Sequence, residues 1–145
     1  MKVKLRAILI SLFIVMVIVS TTSYLFLRVT ESQVVVNKIV KIYEVLPEVL
    51  PDSERVIKDK EAVKQFTYAV RFADKQPGVV DFTTPGSTNP FQFTLGNKQY
   101  YLWVSEHSRQ GTLMKLPNRE TVYTIGKSRA KTLLEIMNKE YNMKP

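Results

Sequence analysis

Residues 7–27 form a continuous apolar segment, AILISLFIVMVIVSTTSYLFL, which has 21 residues and contains no charge, proline or glycine. As an α-helix rising about 1.5 Å per residue, the segment is roughly 31 Å long, which is about the thickness of the hydrocarbon core of a bilayer. The segment therefore predicts a single transmembrane helix near the N-terminus, and everything else in the chain has to be consistent with that helix.

Charged residues flank the apolar segment unequally. Lys2, Lys4 and Arg6 precede it, whereas Arg28 and Glu31 are the only charges in the ten residues that follow it. Loops on the cytoplasmic side of a membrane carry the excess of lysine and arginine. This asymmetry predicts a cytoplasmic N-terminus and an extracellular C-terminal domain in the cell membrane.

A cleaved secretory signal is the alternative to an anchor. Thr21 and Ser23 are small enough to flank a signal peptidase site, which would secrete a chain starting at Tyr24. Cleaved signals usually have a shorter apolar core, and here the apolar residues resume after Ser23, so we favour the anchor. The predicted organisation is a cytoplasmic N-terminus and anchor at 1–28, a membrane-proximal linker at 29–37 and an extracytoplasmic domain at 38–145.

The positive charge of the chain is spread unevenly. The sequence has 21 basic and 13 acidic residues, of which 17 basic and all 13 acidic residues lie beyond residue 28. Residues 98–145 hold nine basic and four acidic residues, without one concentrated basic run of the kind that binds nucleic acid. We expect no nucleic acid partner. Contact with anionic wall polymers or lipid headgroups is an alternative function, with Arg119, Arg129 and Lys131 as the candidate residues.

The remaining pattern predicts an α+β domain with an antiparallel sheet of hairpins and two helices on one face of the sheet. β-branched residues indicate strands at 34–45 and 55–58, and Asp59 is a suitable N-cap for a helix. Ser128 is the expected N-cap of a second helix. The apolar stripe of the first helix consists of Ala62, Val63, Phe66, Ala69, Val70 and Ala73.

The clearest hairpin is FQFTLGNKQYYLWV, in which a two-residue turn at Gly96 and Asn97 pairs Leu95 with Lys98. Because side chains alternate across a strand, this register assigns every residue to one face of the sheet. One face carries Phe91, Phe93, Leu95, Tyr100, Leu102 and Val104, and the other carries Gln92, Thr94, Gln99, Tyr101 and Trp103.

Few residues in the chain are suited to catalysis or metal binding. The absence of cysteine excludes disulfides, thiolate zinc sites and a lipid-modified cysteine, and a single histidine excludes a multi-histidine metal centre. A hydrolase that uses His107 with Ser105 or Ser108 is an alternative, but neighbours in sequence seldom point at one another. We therefore expect no cofactor and no metal, and predict that the domain is not an enzyme.

Two groups of aromatic residues are candidate binding surfaces. At 100° per residue, Tyr68 and Phe72 lie on the side of their helix away from the apolar stripe, near Lys64 and Arg71. Exposed aromatic rings beside cations suit a protein partner, a sugar polymer or a membrane interface. Tyr101 and Trp103 are the second candidate. In both cases, packing against another part of the same protein is the alternative.

Several short motifs in order carry a family resemblance: VIKDKEAVKQFTYAVRFADKQPGVVDFTTP, the hairpin ending in YYLWV, then GTLMK, VYTI and a closing helix. This pattern resembles the YhfM-like extracytoplasmic domain of small anchored proteins and lipoproteins of low-GC Gram-positive bacteria, over roughly residues 38–140. The resemblance implies an outward-facing α+β domain in the cell envelope and supplies no catalytic residues. This chain differs from the lipoprotein members because no cysteine follows its apolar segment.

The sequence thus predicts a single-pass cell-envelope protein that presents a non-enzymatic interaction or sensing module outside the membrane. The expected partner is a protein or polymer of the envelope.

Overall fold

The computed structural model of the chain describes residues 2–41, 48–77, 89–104, 110–118 and 120–143. The chain divides into two compact units, Met1–Thr30 and Glu31–Pro145.

The first unit is one helix, α1 (Lys2–Leu27). Its segment Ile8–Leu27 is long and apolar enough to cross a membrane. Three polar side chains in this segment bond within the helix: the hydroxyls of Ser20, Thr21 and Thr22 donate to the carbonyl oxygens four residues earlier at 2.6–2.9 Å. This pairing suits a lipid environment, where no water is available to hydroxyl or backbone groups.

The second unit is an antiparallel sheet with two helices, which confirms the predicted α+β class. The helices are α2 (Lys60–Arg71) and α3 (Lys127–Glu140). The described strands are β1 (Val34–Lys41), β2 (Glu48–Val49), β3 (Arg55–Ile57), β4 (Asp74–Lys75), β5 (Asn89–Leu95), β6 (Lys98–Val104), β7 (Gly111–Lys115) and β8 (Val122–Ile125). Their order in the sheet is β2-β1-β5-β6-β7-β8-β4, and β3 also pairs with β1. The sheet therefore begins at Val34, within the stretch 29–37 that the sequence assigned to a linker.

The hairpin β5–β6 has the predicted register, with Leu95 opposite Lys98 and Phe93 opposite Tyr100. Gly96 has a φ of 61°, which a residue without a Cβ adopts at little cost in this turn. The predicted assignment of faces follows from this register, and all of the residues expected on the core face are buried. They are Phe91, Phe93, Leu95, Tyr100, Leu102 and Val104.

Both helices cover this face of the sheet. Phe66 of α2 packs on Phe93 with 5.0 Å between ring centroids. On the α3 side, a Cβ added to Gly111 would lie 3.2 Å from the Cβ of Ala130, so glycine at this position lets α3 lie close to the strands. Leu133 and Met137 of α3 are fully buried. One apolar layer therefore holds both helices on the same side of the sheet.

The two helices begin differently. The Asp59 side chain accepts a hydrogen bond from the backbone N–H of Ala62 at 2.9 Å, which confirms the predicted N-cap. The expectation that Ser128 caps α3 is wrong, because α3 begins at Lys127 and its N-cap is Gly126. Strand β8 runs to Ile125, so the extended chain enters the helix directly after Gly126 and Ser128 already lies in the first turn.

Tyr141, which follows α3, joins the helix to the far edge of the sheet. Its hydroxyl oxygen lies 2.9 Å from the carbonyl oxygen of Val36 and 2.8 Å from that of Ser53. Its ring stacks on Phe91 at 5.7 Å between centroids. Lys38 approaches the same ring, with its Nζ 4.7 Å from the centroid. Burial raises the pKa of the Tyr141 hydroxyl to about 12, because the phenolate loses more solvation than the neutral phenol.

We predict that Tyr141→Phe lowers the free energy of unfolding by about 1 kcal/mol, since the ring stays in place and only the hydroxyl's hydrogen bonding is lost. The pKa of Tyr141 is raised on folding, so its neutral form stabilises the protein fully below about pH 10, and this contribution is lost as the pH rises towards 12. The difference between wild type and variant should therefore shrink over that range. The free energy of unfolding is measured by urea unfolding of the full chain in detergent, followed by the wavelength of Trp103 fluorescence. A difference between the two proteins that stays constant up to pH 12 would contradict the raised pKa of Tyr141.

Candidate functional site

Two aromatic residues of α2 are presented on its outer side. The rings of Tyr68 and Phe72 meet edge to face, with 5.5 Å between centroids and 72° between planes. Phe72 caps the C-terminal end of α2, where its backbone N–H donates to the carbonyl of Tyr68. Phe72 is 39% exposed, whereas Phe66, about 120° away around the helix, is completely buried. Phe72 is therefore exposed at the end of α2, and Tyr68 beside it is partly exposed.

A cation lies against each of the two rings. Lys64 Nζ is 5.8 Å from the ring centroid of Tyr68, and Arg129 Cζ is 5.3 Å from that of Phe72. Arg129 belongs to the first turn of α3, so the end of α2 and the beginning of α3 supply one surface together. We call Lys64, Tyr68, Phe72 and Arg129 the helix-face patch. It combines residues that the sequence placed in two separate candidate surfaces.

The two cations of the helix-face patch differ in their surroundings. Lys64 Nζ lies 3.2 Å from Oε2 of Glu61, and Oε1 of the same carboxylate accepts a hydrogen bond from Gln65 at 2.8 Å. These hydrogen bonds hold the pKa of Glu61 below its ordinary value, and the bond from Gln65 has a larger effect than the bond from Lys64. No carboxylate of the described residues lies within 4.0 Å of Arg129. Arg129 therefore keeps its positive charge unpaired while its guanidinium lies over an apolar ring.

The other cations that the sequence predicted for binding are Arg71, Lys131 and Arg119. Arg71 is partly exposed in the last turn of α2 and interacts with other residues. Lys131 pairs with Glu135 at 3.8 Å, and a step of 100° per residue puts it about 200° from Arg129 around α3. Arg119 lies outside the described residues, as do His107 and its two neighbouring serines at 105 and 108.

Tyr101 and Trp103 lie on the face of the sheet away from the helices, where the sequence placed them. Tyr101 is only 8% exposed, so it is not the open binding residue that we expected. It packs in a small cluster with Ile39, Met114 and Val122, and Trp103 packs against that cluster. The physical reason is that strands β1, β7 and β8 each bring an apolar side chain to this face, which turns the aromatic pair into part of a second core.

The joining of Phe72 and Arg129 could not be predicted from the sequence. They are far apart along the chain, and helical periodicity describes each helix without its neighbour. Among the residues that the structure describes, no group of three or more histidine or acidic side chains could hold a metal ion. The surface that the structure assembles is thus aromatic and cationic, with the chemistry of a binding site for an anionic or apolar partner.

A solved structure with a similar fold is that of a thioesterase-like protein from Clostridium sporogenes. The TM-score is 0.52 at 17% sequence identity, and the match covers 73% of this chain and 93% of that chain. At this identity the likeness is one of fold. The prediction that the domain is not an enzyme is contradicted by this finding, because a domain with a similar fold is described as thioesterase-like.

No curated protein matches the chain. Its residues 35–143 match the family described as YhfM protein, over a range that includes the sheet, both helices and Tyr141. This agrees with the resemblance found in the short motifs of the sequence. The chain therefore belongs to the YhfM protein family.

Proposed function

We propose that this chain is a single-pass cell-envelope protein with its N-terminus in the cytoplasm, and that its α+β domain is an interaction or sensing module outside the membrane. In this proposal the helix-face patch is the surface that binds. The observation that carries the proposal is the pairing of Phe72 with Arg129: an exposed ring and a cation without a carboxylate partner among the described residues, held together by two helices.

The distribution of charge supports the orientation. Lys2, Lys4 and Arg6 precede the apolar segment, and the segment itself reaches Leu27 without a charge. Basic residues remain on the cytoplasmic side because moving them across the membrane is unfavourable. With the N-terminus inside, the unit Glu31–Pro145 is outside.

The geometry of the helix-face patch supports binding. An exposed phenylalanine beside tyrosine offers apolar contact area, and the flanking cations add attraction for negative groups or π systems. Aromatic and arginine side chains are also the types enriched among residues that dominate binding energies. Tyr68 is partly exposed and Phe72 is exposed, so a partner can reach part of each residue.

Thioester hydrolysis is a second candidate function, favoured by the likeness of fold to a thioesterase-like protein. In that case the domain would act on an acyl thioester in the envelope. His107, the only histidine of the sequence, is the first residue to test as a general base.

For the topology, we predict that Asn97→Cys reacts with a membrane-impermeant maleimide in intact cells, whereas Lys4→Cys reacts only after permeabilisation. The chain has no cysteine of its own, so each label reports a single position. The mass of the purified protein should include residues 1–23. Labelling in the opposite order would invert the proposed orientation, and a mass that begins at Tyr24 would identify a cleaved signal.

For the helix-face patch, we predict that a photoreactive amino acid in place of Gln65 forms adducts in living cells, because position 65 lies three residues before Tyr68 on the same side of α2. Tyr68→Ala combined with Phe72→Ala should reduce adduct formation by roughly tenfold, the effect expected when binding-site aromatics are truncated.

Two controls accompany this crosslinking experiment. Lys131→Ala, on the other side of α3, should leave the adducts unchanged. A photoreactive residue at Asn97 should form few adducts, because the hairpin tip is not part of the patch. Equal adducts in the double variant, with Trp103 fluorescence showing a folded domain, would show that the patch is not the binding surface.

For the second candidate, we predict that the purified full chain in detergent releases thiol from short acyl thioesters, and that His107→Ala reduces the rate by about 100-fold or more, as is usual when a general base is removed. A chromogenic disulfide reagent measures the thiol without interference, since the protein has none. Release no faster than in the detergent blank would eliminate thioester hydrolysis.

A further inference from the structure

We infer that the partner of the helix-face patch is a phospholipid surface carrying anionic headgroups, namely that of the membrane in which α1 is anchored. This inference rests on the proposed function and names the ligand for the same surface. Four observations support it: the charge of the two helices, a cation at the patch that pairs with no described carboxylate, the exposed Phe72 beside the partly exposed Tyr68, and the short tether to the anchor.

The charge of the two helices is complementary to an anionic surface. Together, α2 and α3 contain seven basic residues and three acidic residues. Two of the acidic residues, Glu61 and Glu135, are already paired with lysines. A polybasic surface near a membrane gains attraction from each lysine or arginine that comes within a Debye length of the headgroups.

Arg129 is placed to contact a headgroup phosphate. Its guanidinium lies 5.3 Å from the centroid of the Phe72 ring, and no described carboxylate competes for it. Arginine donates in a planar fork that matches two phosphate oxygens, and its charge persists at every physiological pH. An unpaired arginine that is held in place by a ring has less conformational freedom to lose when it binds.

The rings beside Arg129 suit the boundary between headgroups and acyl chains. Phe72 is 39% exposed, which is more than any other aromatic residue in the described part of the α+β domain. Tyr68 has an apolar ring with a polar tip, and Lys64 has an apolar stem with a charged end, so both can place apolar atoms deep and polar atoms shallow. Lys64 and Phe72 are eight positions apart on α2, so the patch extends along roughly 12 Å of the helix.

The short connection to the anchor favours lipid over a dissolved polymer. Residues 28–33 alone separate α1 from β1 in the sequence. Six residues reach at most about 21 Å, so a bilayer that holds α1 presents its headgroups to the domain at a high effective concentration. The tether therefore favours a modest contact with these headgroups over one with a polymer elsewhere in the envelope, which has no such advantage.

The test uses the full chain with one cysteine, Gln65→Cys, labelled with a polarity-sensitive fluorophore and reconstituted into nanodiscs. We expect a blue shift in discs that contain phosphatidylglycerol and little shift in discs of phosphatidylcholine alone. Added salt should reverse the shift. Arg129→Glu should lower the ratio of membrane-contacting label to free label by about tenfold or more, because it makes the charge of the patch two units more negative.

Lys131→Glu is the matched control, because it makes the same change of charge on the same helix at a position about 200° away. It should retain most of the blue shift. An equal loss in the two variants would mean that net charge alone matters and would overturn the assignment to the helix-face patch. An equal shift in discs without phosphatidylglycerol would overturn the anionic lipid as ligand, as would full displacement of the label by soluble polyphosphate at constant ionic strength.

The same outcomes separate this inference from the proposed function. If the nanodiscs give no shift while the cellular photoadducts at position 65 are proteins and still depend on Tyr68 and Phe72, the patch binds a protein partner and the lipid inference falls alone. If the photoadducts in cells and the fluorescence shift in nanodiscs are both absent, the proposed function is wrong together with the lipid inference. Adducts that contain lipid, together with a shift that needs Arg129, support both.

Discussion

The burial of one face of the antiparallel sheet beneath α2 and α3 is the constraint on which the remainder of the domain depends. Phe91, Phe93 and Leu102 are fully buried on the sheet side, and Phe66 of α2 packs directly on Phe93. The free energy gained by burying apolar side chains is proportional to the area that is buried. This aromatic layer therefore supplies much of the favourable free energy of folding. Gly111 increases the contact by allowing α3 to approach the strands.

The same layer determines where the candidate surface lies. Because both helices use one side to cover the sheet, their opposite sides must face outwards, and the end of α2 meets the beginning of α3. Phe72 and Arg129 come together at that junction. Among the residues that the structure describes, Arg129 is thus stabilised by a ring and by no carboxylate, an arrangement that leaves its attraction for an external anion intact.

Elements with a strong local signal were predictable from the sequence. The Asp59 cap and the register of the hairpin at Gly96 each depend on a few adjacent residues, and both are present in the structure. The strands β2 and β4 were not predictable, because each has only two residues and is defined by the strand to which it is hydrogen-bonded. Ser128 was misassigned because the end of strand β8, rather than capping chemistry, determines where α3 begins.

The sequence by itself determined an apolar helix of membrane length, an α+β domain and the face on which each hairpin residue lies, because these follow from composition and from the periods of helix and strand. Tertiary structure alone decided that Tyr101 is buried by Ile39, Met114 and Val122, that Tyr141 joins α3 to the edge of the sheet, and that Arg129 lies over Phe72. These contacts join residues distant in the chain, and local periodicity carries no information about which elements become neighbours.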